Sequence, residues 1–207
     1  MPYQWSKLSH IEPKFNIFFD HNLEYEATES AIAKIKSGKN GSQILQALKA
    51  NMNHENQLDI LVDIHSLTET GGELTASQEK KYHIDRSDPA YREKVLHLGS
   101  NGFGVRPVIY YNPLRYIEID RHNRSWQTDN EHKAFVSLAH EMVHALHLIN
   151  GTTKAEGKDK VHDLESSQME EEERAVGIGY YSNNNLSENG VRRDHRLRLR
   201  ASYYTQN

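Results

Sequence analysis

The stretch 139-AHEMVHALHLING-151 holds three histidines and one glutamate in the eight residues from 140 to 147. Over 131-EHKAFVSLAHEMVHALHLIN-150 the spacing predicts one helix, stopped at Gly151, a residue type that readily closes a helix C-terminus. At about 100° per residue, Leu138, Met142, Val143, Leu146 and Ile149 form one apolar face. His140 and His144 fall on another face, about 40° apart and one turn above each other. A helix of this kind must bury its stripe, while its other face offers two imidazoles that can point at one metal ion. Glu141, on the flank, can reach a water on that ion and act as general base. His147 shares the face, but its Cα lies roughly 10 Å from that of His140. We read it as a support to the site or as packing.

The rest of the composition narrows the choice of ligands. The 207 residues include no cysteine, which excludes a disulfide scaffold, a thiol nucleophile and a thiolate metal site. A metal must be held by His, Asp and Glu. At 36% hydrophobic and 26% charged residues the chain is globular and sized for one domain. No apolar run approaches the ~18–20 residues of a membrane span, so no membrane partner is expected. A net charge of −4 speaks against a general nucleic-acid binder.

Residues 1–22 lack the apolar core and cleavage site of a signal peptide. They also show few periodic signals, and we expect an N-terminal arm, a candidate secretion segment, ahead of a metalloprotease domain at 23–207. Helices are predicted at Glu24–Ile35 and Ser42–Lys49, and strands at 58–67, 108–111 and 115–119. The polar region 68–95 suits an insertion or lid. The glycines of 97-HLGSNGFGV-105 precede a strand rather than a helix, so they read as a turn and not a phosphate loop. The mixture is α+β.

A catalytic zinc needs a third protein ligand. The layout with a glycine and a third histidine after the motif fails, since His147 and Asn150 occupy those positions. Carboxylates remain: Glu156, Asp163, Glu165 and the run 170-EEEE-173. In 169-MEEEERAVG-177 the apolar set is Met169, Ala175 and Val176; Glu172 faces the centre of their arc, Glu173 lies to one side and Glu170 opposite. The geometry prefers Glu172 without excluding Glu173. In 192-RRDHRLRLR-200, five arginines could form an acidic-surface or nucleic-acid patch. Arg200 and Tyr203, three apart, could instead stabilise the oxyanion of peptide hydrolysis.

Three ordered motifs then share one pattern. HEMVHALH resembles the active-site helix of the clostridial neurotoxin light chains, EEERAVG (171–177) their Glu-Glu-x-Arg-Thr-x-Gly segment, and RASY (200–203) their Arg-x-x-Tyr. In size, in the run 188-ENGVRRDHRLRLRASY-203 and in 111-YNP-113 the chain is more similar to the small NleD-like type III effector metalloproteases, peptidase family M91. Ala175 replaces the usual Thr, and a proline often found before the terminal arginine segment is absent.

The resemblance implies a zincin-like fold, with the active-site helix on a small mixed sheet. It implies one Zn2+ per chain on His140, His144 and Glu172, with Glu141 as base. Glu171 would support the ligands, and Arg200 and Tyr203 would meet the oxyanion. It further implies a monomeric effector, exported by type III secretion to the host cytosol, that cleaves a host protein such as the MAP kinases JNK or p38 in the activation loop. A catalytically silent zinc-containing module that binds a host protein is the alternative from another class; an arginine-rich nucleic-acid binder is a third.

Overall fold

Alternation in 15-FNIFF-19 decides the middle of the sheet. Phe15, Ile17 and Phe19 are 0%, 0% and 2% exposed, and the residues between them face the other way. The computed structural model describes residues 3–155 and 166–203. In it this run is β2 (Phe15–Phe19), antiparallel to β1 (Trp5–Leu8) and parallel to β3 (Leu58–Val62). Within the stretch expected as a loosely attached arm, residues 5–8 and 15–19 are thus strands of the main sheet. Burying three large apolar side chains on one face is worth roughly 1.5–3 kcal/mol each, enough to draw the segment into the sheet. Glu12, in the connection, is tied 2.9 Å from both Lys36 and Lys49. Those lysines sit on α1 (Asn22–Ser37) and α2 (Lys39–Asn51), close to the two helices predicted there.

The sheet order is β1-β2-β3-β5-β4, with β5 (Arg106–Tyr111) parallel to β3 and β4 (Glu69–Glu73) antiparallel at the edge. Residues 68–95 are therefore more than an insertion: they supply β4, then α3 (Ala76–Tyr82) and the start of α4 (Tyr91–Ser100). Two glycines make the edge strand look like a turn in sequence, yet Gly72 is where α4 packs close. A Cβ there would lie 2.9 Å from Val95 Cγ1 and 3.0 Å from Val105 Cγ2. The glycine segment before β5 does turn, through Gly102 (φ 89°) and Gly104 (φ 71°), but its first residues belong to α4. A separate hairpin, β6 (Arg115–Ile119) with β7 (Ser125–Asp129), follows; its second strand was not foreseen.

Helix α5 (Phe135–Ile149) lies against the sheet, α1 and α2, and Leu138, Met142, Val143, Leu146 and Ile149 join one core with Ile17, Ile60 and Ile109. Two short helices complete the α+β fold, α6 (Ser167–Val176) and α7 (Glu188–Asp194). Among the described residues no helix is long and apolar enough to cross a membrane.

Candidate metal centre and catalytic cleft

Helix α6 begins where Ser166 Oγ accepts from Met169 N–H and ends at Gly177, whose φ of 79° suits a residue without Cβ. Its apolar residues Met169, Ala175 and Val176 are buried, which turns Glu171 and Glu172 inward, toward α5. Glu172 Oε2 then lies 3.2 Å from both His140 Nε2 and His144 Nε2, and those two nitrogens are 3.1 Å apart. On the far side of each ring, His140 Nδ1 is 3.0 Å from Glu188 Oε2 and His144 Nδ1 is 3.0 Å from Glu171 Oε1. Carboxylates only accept, so both Nδ1–H groups donate and the lone pairs sit on Nε2. With neutral rings, three lone-pair-bearing atoms thus converge, a group that a bound cation satisfies, whether a proton on one ring or a metal ion held by all three.

A tetrahedral zinc with ligands at about 2.0–2.1 Å spaces them about 3.3 Å apart, so the observed triangle fits. Burial opposes the charged form of His140, but Glu172 and Glu188 outweigh it and push its pKa up to about 9. His144 is raised too, by Glu172 and Glu171 against burial. Burial resists ionisation of Glu172 and Glu171, yet the facing histidines hold both well below the usual carboxylate range. Of the other ligand candidates, Glu156, Asp163 and Glu165 lie outside the described residues.

His147 Nδ1 is 2.6 Å from Glu171 Oε1. His144, His147 and Glu171 form a second grouping of potential ligands, but there one carboxylate oxygen accepts from two Nδ1–H groups and is satisfied by them. That cluster orients His144; it does not call for an ion. The backbone N–H of Lys154 also donates to Glu171, at 2.9 Å.

Behind His140 stands a buried charge cluster whose main member escaped sequence reasoning. Glu188 accepts from Arg192 Nε at 2.7 Å and Arg200 Nη1 at 3.0 Å as well as from His140. Burial resists its ionisation, but Arg200 and Arg192 hold it strongly acidic. Arg192, 0% exposed, also donates to Tyr116 Oη at 2.9 Å and to the Ile117 carbonyl at 2.8 Å. Two of the five arginines that could have formed a surface patch, Arg192 and Arg200, are thus consumed inside the protein. The Glu188/Arg192 spacing of four was a usable helix-pair signal; the link to His140 was not in the sequence.

Glu141 is buried and burial pushes its carboxyl up; Thr70 Oγ1 on β4 donates to its Oε2 at 2.8 Å. Thr70 was also missed. Tyr203 stacks on His140 at 6.4 Å between ring centres. Arg200 sits behind, bound to Glu188 and to the Tyr203 carbonyl. His140, Glu141, His144, Glu171, Glu172 and Tyr203 all line one cavity of about 760 Å³, bounded by β4. Arg200 does not line it, so the structure brings Tyr203 to the cleft and Arg200 to its support.

A buried two-histidine, one-carboxylate centre in an open cleft with a second carboxylate beside it defines a candidate metallopeptidase site. The chain belongs to the peptidase M91 family of effector proteins, whose model matches residues 21–203. No curated protein is similar enough to match. Among solved structures, the catalytic domain of Clostridium botulinum neurotoxin serotype F is similar at 15% identity and a TM-score of 0.47, over 86% of this chain and 48% of that one. The light chain of botulinum neurotoxin serotype HA is similar at 16% identity and a TM-score of 0.45, over 64% of this chain and 36% of the other. The protein therefore spans less than half the length of either.

Proposed function

We propose that the protein is a zinc endopeptidase of the effector class, delivered into host cells to cut a host protein. The observation that carries this reading is the convergence of His140 Nε2, His144 Nε2 and Glu172 Oε2 at 3.1–3.2 Å, with Glu141 in the same cleft. His140, His144 and Glu172 would hold a zinc ion there, and that ion would supply Lewis acidity toward water and a peptide carbonyl. Glu141, kept basic by burial and pinned by Thr70, takes the water's proton and passes it to the leaving amine. The Tyr203 hydroxyl serves the oxyanion from the cleft wall, and Arg200 holds Tyr203 in place by its carbonyl. Among the described residues the outer edge of β4 is unpaired in the sheet and borders the cavity, so an extended peptide can add to it as a further strand. The resemblance set out above extends the reading to type III export, action in the host cytosol and a MAP kinase such as JNK or p38 as substrate.

Mass spectrometry of new protein N-termini in a host-cell lysate tests this, comparing the zinc-loaded protein with Glu141→Ala. New termini with the wild type alone are expected. Equal zinc in both proteins with no new termini in either overturns the reading in favour of a silent binding module.

A further inference from the structure

The cleft contains charges that the chemistry above does not use. Besides Glu141, Glu171, Glu172 and the two ligand histidines, its charged lining consists of Glu69 and Arg92. Arg92 is its one lysine or arginine among the described residues. Its side chain is exposed, and among those residues it makes no ion pair or hydrogen bond. Arg92, Val95 and Leu96 stand at i, i+3 and i+4 on α4, so they present one face to the cavity, a cation beside two apolar side chains.

The edge strand fixes where this face lies relative to the chemistry. Thr70 is the β4 residue that touches Glu141. Gly72, two residues on, is the one against which α4 closes, a Cβ there falling 2.9 Å from Val95 Cγ1 and 3.6 Å from Leu148 Cδ2. Strand geometry makes that separation about 7 Å. A peptide laid along β4 with its scissile bond at Glu141 therefore carries a side chain under α4 about two residues from the cut. Glu69 borders the cleft on the other side of Thr70, so the groove is negative at one end and positive at the other.

Resting on the peptidase reading, we propose that Arg92 is a specificity-determining residue: it recognises an aspartate or glutamate of the substrate two or three residues from the scissile bond. A guanidinium presents donors in a fork that matches a carboxylate, and Val95, Leu96 and Leu148 offer nothing else for a charged side chain to bind. Arg92 takes no part in metal binding or proton transfer. It sets which peptides are held long enough to be cut.

The test has two steps with the zinc-loaded protein. New N-termini in a eukaryotic cell lysate first give the cut site, with Glu141→Gln as the blank. The acidic residue within three of that site is then changed to lysine in the substrate, and both substrates are given to wild type, Arg92→Gln and Arg92→Glu. The exposed position of Arg92 lets both variants fold. Either Arg92→Gln or the substrate change is expected to lower kcat/KM about fivefold, and Arg92→Glu is expected to cut the lysine substrate better than wild type does. A cut site with no acidic residue in range, or an acid-to-lysine effect equal in wild type and Arg92→Glu, overturns the assignment while leaving the peptidase intact. No new termini at all overturns the peptidase reading, and the role of Arg92 with it.

Discussion

Glu188 stands 3.0 Å from Nδ1 of His140, on the opposite side of the ring from Glu172, and so decides which nitrogen of that histidine is free to bind a metal. The same carboxylate balances two buried guanidinium groups. Glu188→Gln keeps the shape and removes the charge. We expect it to lower stability by roughly 3–5 kcal/mol in urea unfolding, since both arginines lose their anion. Zinc affinity should fall about 10–100-fold in a chelator competition. An unchanged affinity would show that His140 is oriented without it.

The proposed third ligand, Glu172, is separable from its neighbour. Glu172→Gln is expected to reduce bound zinc to well under one per chain by elemental analysis, because the Oε2 that faces both Nε2 atoms loses its charge. Glu173→Gln should leave the stoichiometry unchanged. The reverse pattern would move the ligand to Glu173.

Gly72 carries a packing prediction. With Val95 and Val105 methyl groups 2.9 and 3.0 Å from where a Cβ would stand, Gly72→Ala must displace Val95 of α4 and Val105 beside it. A loss of about 1–3 kcal/mol in urea unfolding is expected. No loss would mean that α4 yields freely.

Glu12 links stability to pH away from the metal centre. Burial resists its ionisation, but Lys36 and Lys49 outweigh that and hold its pKa below the usual 4.5. A carboxylate depressed on folding contributes stability that is fully present above its unfolded pKa and lost as pH falls through the folded value. Glu12→Gln should therefore be less stable than wild type at pH 7, and the gap should close as pH falls through the depressed folded value in parallel urea titrations. A gap that persists at acid pH would assign the effect to packing.

Periodicity made α5 legible: an apolar stripe opposite two histidines one turn apart is a local pattern, and a helix preserves local patterns. The same reasoning favoured Glu172 over Glu173, because a ten-residue helix fixes which carboxylate shares a side with Met169, Ala175 and Val176. Glu188 was out of reach for the converse reason. It meets His140 across 48 residues of sequence, and nothing local distinguishes it from a solvated glutamate. The segment 15-FNIFF-19 did alternate, but five residues beside polar neighbours were too short a signal to outweigh the look of a loose terminus. In β4, Glu-Thr-Gly-Gly-Glu has the composition of a turn, and its glycines make sense only once α4 is seen against them.

The spacing of the proposed ligands along the chain sets when such a centre could exist. His140 and His144 are neighbours in any helical fragment, but Glu172 arrives from 28 residues beyond His144, and Glu188 from farther still. An unfolded chain owns only a weak two-imidazole site; the third arm and the anion that orients the first are assembled by the fold. On the proposed ligand set, metal loading would thus be a gauge of completed tertiary structure, and a chain held open, for whatever reason, would be disarmed by geometry.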